Sequence, residues 1–221
     1  MSEQDTWSAV DTYLKDRLVG SDAALQAALA GSRAAGLPDI QVSPTQGKFL
    51  MLMAQAIRAR SILEIGTLAG YSSIWLARAL PADGLLVTCE LNAKHADVAR
   101  ANIERAGLAS LVQLRLGPAL ETLAELIRAQ HPPFDLVFID ADKPAYVGYL
   151  NQVLQLSHSG TVILGDNLIR HADVVAEVAP DELAVGVKEY NSLIATHPRL
   201  ESILLPILKG KVDGMSISRV K

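Results

Sequence analysis

The chain opens on helical spacing. Trp7, Val10, Leu14 and Leu18 fall three or four residues apart, which places them on one face of a helix over Trp7–Leu18. Ala23–Ala35 is rich in alanine and predicts a second helix. Gly36-Leu37-Pro38 breaks the pattern. Ser43-Pro44 then opens a third helix running through Phe49-Leu50-Met51-Leu52 to about Ile57, since proline lacks only an N–H that would have no partner in the first turn. From Ser61 the period changes. Short apolar runs at Ser61–Ile65, Leu85–Glu90, Leu111–Leu116, Phe134–Asp140 and Gly160–Gly165 read as strands. Tyr71–Leu80, Ala93–Ala106, Ala119–Ala129 and Pro144–Leu156 read as the helices between them. Strands alternating with helices predict right-handed βαβ units and a parallel sheet. Leu200–Pro206 and Gly214–Val220 flank Lys209-Gly210-Lys211, which predicts a hairpin and an antiparallel end to the sheet. Asp166–Arg170 reads as loop, and Asp181–Thr196 contains a helix. The long connection between those two is either functional or a disordered link. The expected organisation is one α/β domain, with a helical cap over residues 1–58 and a core of seven strands and flanking helices over 59–221.

Composition narrows the class. Half of the residues are hydrophobic and a fifth charged, as in a compact globular protein, while aromatics at 5% leave the core to Leu, Val, Ile and Ala. A net charge of -4 with no basic stripe offers no nucleic-acid footprint. Cys89 is the single cysteine, so no disulfide can form within the chain, which favours a reducing compartment. Met1–Asp11 carries Glu3, Asp5 and Asp11 without an apolar run, unlike a signal peptide. No stretch approaches the roughly 20 apolar residues of a membrane span. The expected location is cytoplasmic, with no membrane partner.

Four motifs carry candidate chemistry. In the first, the strand Ile62–Ile65 feeds the turn Gly66-Thr67-Leu68-Ala69-Gly70, which opens a helix at Tyr71-Ser72. Ligands of α/β sheets sit beyond the C-terminal ends of strands, where glycine lets the backbone come close. The spacing G-x-x-x-G differs from the dinucleotide G-x-G-x-x-G. Glu64, just before the turn, would oppose a pyrophosphate and suit a cationic amino-acid group. A purely structural strand-to-helix turn remains the alternative. The second motif is Glu90, which ends the next strand about 20 residues later, where an acid can accept from ribose hydroxyls; a solvated strand-end acid is the competing reading. The third is Asp140-Ala141-Asp142-Lys143 and the fourth Gly165-Asp166-Asn167, each closing a strand. If those strands are neighbours, Asp140, Asp166 and Asn167 converge as an oxygen-only set suited to a hard divalent cation such as Mg2+, Ca2+ or Mn2+. Helix N-caps at Asp142 and Asp166, and a surface position for Lys143, are the alternatives.

Together these motifs resemble the cation-dependent small O-methyltransferases, the family of catechol and caffeoyl-CoA O-methyltransferases and their bacterial relatives. The resemblance spans nearly the whole chain, from Val42-Ser43-Pro44-Thr45-Gln46-Gly47 through Gly117-Pro118-Ala119-Leu120 to Val212-Asp213-Gly214. It implies a Rossmann-like class I methyltransferase fold. It implies that S-adenosylmethionine is held by Val42, Glu64, Gly66, Thr67, Ser72, Glu90, Ala119 and Asp140, and a divalent cation, Mg2+ foremost, by Asp140, Asp166 and Asn167. It makes Lys143 and Asp140 the catalytic residues, with Lys143 either as general base toward the acceptor hydroxyl or lowering that hydroxyl's pKa together with the metal. It implies a small aromatic hydroxyl substrate of catechol type and a homodimer. Tyr146 and Tyr190 are the aromatics nearest the acceptor region, and no Arg/Lys cluster marks a site for CoA phosphates. Three other readings compete: methylation of a hydroxylated wobble uridine in tRNA, a nicotinamide oxidoreductase, and a non-catalytic binding module.

Overall fold

The computed structural model describes residues 3–170, 172–208 and 212–221. Three helices, α1 (Glu3–Leu14), α2 (Ala23–Ala34) and α3 (Pro44–Ala56), precede β1 (Ser61–Ile65). There follow α4 (Tyr71–Ala77), β2 (Leu85–Glu90), α5 (Ala93–Arg105), β3 (Val112–Leu116), α6 (Ala119–Arg128) and β4 (Phe134–Ile139). The chain ends with α7 (Tyr146–Val153), β5 (Ser157–Gly165), α8 (Glu182–Thr196), β6 (Leu200–Leu208) and β7 (Val212–Val220). The seven strands form one sheet in the order β3-β2-β1-β4-β5-β7-β6, and β7 runs antiparallel to both its neighbours. This is the α/β fold with a mostly parallel sheet and a C-terminal antiparallel hairpin that the alternating pattern predicts. Among the described residues no helix is long and apolar enough to cross a membrane.

The chain divides into two compact units, residues 9–122 and residues 123–221 with the first residues of α1. In the first, β2 lies parallel between β1 and β3, with Ile65 opposite Cys89 and Cys89 opposite Arg115. Ile62, Leu63 and Ile65 of β1 and Leu86 and Val87 of β2 are fully buried. Burying an aliphatic side chain stabilises by about 1.5–3 kcal/mol. Helix α3 starts on a capping box: Ser43 accepts from the Gln46 N–H at 3.2 Å, and the Gln46 side chain accepts from the Ser43 N–H at 3.0 Å. A side chain at Gly47 would fall on the Trp75 ring, so glycine permits the close packing of α3 on α4.

Asp22 caps α2 by accepting from the Leu25 N–H at 2.9 Å, and both its oxygens meet Arg78, at 2.8 and 3.1 Å. The Arg78 guanidinium holds the Asp22 carboxyl below its ordinary value. A depressed folded-state value means the stabilisation is present above the unfolded value and is lost as pH falls through the folded one. Asp22→Ala is therefore expected to lower unfolding stability by about 1–2 kcal/mol at pH 7 and by much less at pH 3. Urea titration at the two pH values checks this; equal losses at both would remove the charge from the account.

In the second unit, β4 pairs parallel with β5, with Ile139 opposite Gly165, and β5 pairs antiparallel with β7. The Thr161 hydroxyl donates to the Phe134 carbonyl at 2.7 Å and fastens the far ends of β4 and β5. Tyr146 and Tyr190 meet edge to face at 5.3 Å and are fully buried, so they belong to the core. Burial pushes both phenols up, Tyr190 to about 12. Helix α8 packs against the 3-10 turn Lys143–Ala145 and against β6.

Boundaries differ from the sequence reading in ways the local chemistry explains. The first helix starts at Glu3, ends at Leu14 and gives way to a π-helical turn at Lys15–Val19, with Val10 and Leu18 exposed. A propensity-driven segment without a buried stripe has little to fix its winding. The helix expected over Pro144–Leu156 is α7 flanked by 3-10 turns at Lys143–Ala145 and Leu154–Leu156. The strand expected at Gly160–Gly165 starts at Ser157, and both hairpin strands extend beyond the expected Leu200–Pro206 and Gly214–Val220. The expected turn Lys209-Gly210-Lys211 lies outside the described residues.

Candidate functional site

The glycine turn after β1 is strained in the way its sequence suggests. Gly66, Leu68 and Gly70 have φ of +100°, +49° and +79°, a region that L side chains pay for and glycine does not. A Cβ on Gly70 would also press Ala99 and Ile103 of α5 at 3.3 Å. Main-chain bonds close the turn: the Gly66 N–H donates to the Cys89 carbonyl at 3.0 Å, and the Gly70 N–H to the Thr67 carbonyl at 2.9 Å. Glu90, at the end of β2, braces it further, accepting from the Leu68 N–H and, through its other oxygen, from the Asn92 N–H, each at 2.8 Å. His95 lies 3.4 Å from that second oxygen.

Glu64 is fully buried; its carboxylate accepts from the hydroxyls of Ser73 and Thr88 and so ties β1 to α4 and β2. The Thr67 hydroxyl donates to the Cys89 carbonyl at 3.1 Å. Burial pushes the Cys89 thiol up to about 12, which leaves it inert as a nucleophile. Val42 and Ser72 are buried, and Ala119 is half-buried at the start of α6. The Gly117 N–H donates to the Glu90 carbonyl at 2.9 Å, so the turn after β3 is fastened to β2.

The ends of β4 and β5 are neighbours, and the Asp166 N–H donates to the Ile139 carbonyl at 3.0 Å. Asp140 and Asp166 therefore follow adjacent strands, as the motif reading required. Asp166 is 3% exposed. Burial pushes its carboxyl up to about 7, with the negative charge of Asp140 as the next cause. Lys143 is 8% exposed, so it is not a surface lysine. Its ammonium donates to the Tyr146 hydroxyl at 2.6 Å and the Asp166 carbonyl at 3.2 Å, and lies 3.4 Å from Asp140 Oδ1.

Neither aspartate follows its simpler alternative. Asp142 precedes the 3-10 turn without a capping bond, and its carboxylate accepts from the Tyr149 hydroxyl. Asp166 accepts from the Asn167 N–H at 2.9 Å, and the segment that follows is loop. Asn167 sits at φ +59°, a region asparagine enters more readily than most residues. Among the described residues no three of His, Cys, Asp and Glu cluster as a metal site; the predicted set has two aspartates and an amide.

Two participants escape the sequence reading. Asp213, near the start of β7, holds the loop after β5, and Gly186 lets α8 approach the Lys143 turn. A Val-Asp-Gly motif was visible at the first position, but nothing local gave it a partner.

Comparison with known proteins decides the family. A family model described as O-methyltransferase matches residues 23–220. The chain belongs to the O-methyltransferase family. A catechol O-methyltransferase from Niastella koreensis is 46% identical over 216 residues, 97% of this chain and 98% of that protein. The solved structure of the O-methyltransferase from Bacillus cereus in complex with SAH superposes with a TM-score of 0.96 at 46% identity, covering 99% of this chain and 100% of that one. TomG from Streptomyces achromogenes, an O-methyltransferase of tomaymycin synthesis solved in complex with SAM, gives a TM-score of 0.95 at 40% identity, with 100% of both chains covered. This O-methyltransferase is thus an enzyme, and membership sets aside the oxidoreductase and the non-catalytic readings.

Proposed function

We propose that this O-methyltransferase takes its methyl group from S-adenosylmethionine and delivers it to a hydroxyl of a catechol-type aromatic acceptor, with a divalent cation at Asp140, Asp166 and Asn167. The observation that carries the metal half is the buried Asp166 carboxyl beside Asp140. Two neighbouring carboxylates, one of them buried, cost folding energy that a metal cation between them would offset beyond what the Lys143 ammonium, 3.4 Å from Asp140, supplies. With an amide oxygen they make an oxygen donor set of the kind Mg2+ prefers. When bound, such a cation draws ionisation of a hydroxyl down toward neutral pH.

The chain's own residues account for the rest. Glu90 has acceptor sites beyond the two N–H groups it already serves, since a carboxylate offers about four, so it can take two ribose hydroxyls. Val42, Glu64, Gly66, Thr67, Ser72, Ala119 and Asp140 complete the proposed surroundings of the donor. Lys143, buried and fixed by Tyr146, is proposed to receive the acceptor's proton in its neutral amine form, becoming the ammonium. In-line placement of the hydroxyl oxygen against the sulfonium methyl is then the remaining requirement. Support for the donor comes from the SAM and SAH complexes of the two solved relatives, and for the acceptor from the Niastella relative's name.

The test is methyl transfer from S-adenosylmethionine to 3,4-dihydroxybenzoate. EDTA is expected to lower the rate at least about a hundredfold, and Mg2+ to restore it. An unchanged rate in EDTA would remove the cation from the proposal, and an inert catechol would remove that acceptor class.

A further inference from the structure

Asn167 has one side-chain atom that can face a cation and one that cannot. Which of them does so depends on what fixes the amide. Its Nδ2 donates to Asp213 Oδ2 at 3.2 Å. Asp213 is buried in β7, and its other oxygen, Oδ1, accepts from three main-chain N–H groups: Gly214 at 2.9 Å, Arg170 at 3.2 Å and Ile169 at 3.4 Å. An ionised carboxylate accepts and never donates. The amide can therefore meet Asp213 only through its NH2, and its carbonyl oxygen must take the opposite side.

The same anchor orders the segment that follows. Arg170 has φ of +48°, a conformation that costs about 1 kcal/mol or more for such a residue. The Leu168 N–H donates to the Gly214 carbonyl at 2.8 Å, and a Cβ on Gly214 would lie 2.6 Å from Ile169. Residues 167–170 are thus seated on Asp213-Gly214.

We propose that Asp213 is a positioning residue that sets the side-chain amide of Asn167 so that its carbonyl oxygen, and not its NH2, is offered to the cation. This rests on the metal reading above. Ligand-orienting partners of this kind are worth about 10–100-fold in metal affinity.

The isosteric change Asp213→Asn tests it. The three main-chain N–H groups hold the new carbonyl oxygen where Oδ1 stood, so the new NH2 takes the place of Oδ2 and confronts the NH2 of Asn167. Two donors cannot pair, and the Asn167 amide turns over. Adding Asn167→Asp removes the conflict: the carboxylate accepts from the introduced amide and still presents an oxygen to the cation.

The experiment titrates the full chain with Mn2+ alone, reading free Mn2+ by electron paramagnetic resonance, alongside the Tm of each protein. Parent, Asp213→Asn, Asn167→Asp and the double variant form a cycle. Asp213→Asn is expected to weaken Mn2+ binding about 10–100-fold, and the two changes to be coupled by at least about tenfold, the double variant recovering affinity. A merely structural role would lower Tm in both Asp213 variants and leave their Mn2+ affinities without that coupling. Additive affinities, or parental affinity in Asp213→Asn, would overturn the positioning role and leave the metal reading standing. A parent chain that binds no Mn2+ would overturn the metal reading, and this inference with it.

Discussion

Gly186→Ala is expected to destabilise the protein and to cost most of its activity, although alanine is the better helix former. Propensity alone would favour the change by about 1 kcal/mol. The added Cβ would fall on the Lys143 carbonyl oxygen and lie 2.7 Å from the Lys143 carbonyl carbon and 2.9 Å from Pro144 Cα. These are main-chain atoms and cannot rotate aside, so overpacking of about 3 kcal/mol outweighs the propensity gain. A net loss of about 2 kcal/mol corresponds to a Tm lower by roughly 4–8 °C in a chain of this size. The shift falls on the turn that carries Lys143, and a displacement of about 1 Å at such a group can cost on the order of a hundredfold in rate. Calorimetry and single-turnover rates check the pair of effects. A raised Tm would mean that α8 moves off the turn without penalty.

Asp166→Asn is expected to separate stability from function. The folded protein holds this carboxyl at about 7, above the 3.8 of an unperturbed aspartate, because burial and the Asp140 charge oppose its ionisation. For a carboxyl with a raised folded value, ionisation destabilises the folded state. Metal-free protein therefore loses stability as pH rises from about 4 to about 7 and stays at the lower level beyond. Replacing the carboxylate by a neutral amide removes that deficit. In EDTA at pH 8 the variant is expected to be more stable to unfolding than the parent by on the order of a few kcal/mol, and to show little or no advantage at pH 4. Its methyl-transfer rate with a catechol is expected to fall by about a thousandfold. A variant less stable than the parent at pH 8 would mean that the folded protein stabilises the charge. The expected outcome marks Asp166 as a residue kept for chemistry at a cost in stability.

Much of this could be read from the chain because it was written locally. The run Ile62–Ile65 followed by glycines, and the acids closing the apolar runs at Glu90, Asp140 and Asp166, depend on neighbours in sequence, and period and strand-end logic locate them. What escaped is long-range. Asp213 meets Asn167 across 46 positions, and no periodicity records such a pairing. Gly186 looks like a flaw in a helix until Lys143 is seen beneath it. Glu64 reads locally as a strand-end acid, and nothing near it in sequence tells that its carboxylate also ties β1 to Ser73 of α4 and Thr88 of β2. Helix ends also moved. The Pro144–Leu156 pattern gave no sign that both its ends would wind as 3-10 turns.

The connections after the strands are fastened in two different ways. Gly66 to Cys89 and Gly117 to Glu90 are bonds between main-chain atoms. The segment after β5 has main-chain bonds too, Leu168 N–H to the Gly214 carbonyl among them, but it leans in addition on side chains: Asp213, the Asn191 amide to the Leu168 carbonyl at 2.9 Å, the Lys188 ammonium to the Ala176 carbonyl, and Arg170 to Asp181 at 2.9 Å. A main-chain bond survives exchange of almost any side chain, and a side-chain bond does not. Exchange of Asp213, Asn191, Lys188 or Asp181 is therefore felt by the segment after β5, whereas the turns at Gly66 and Gly117 keep these fastenings through most side-chain exchanges.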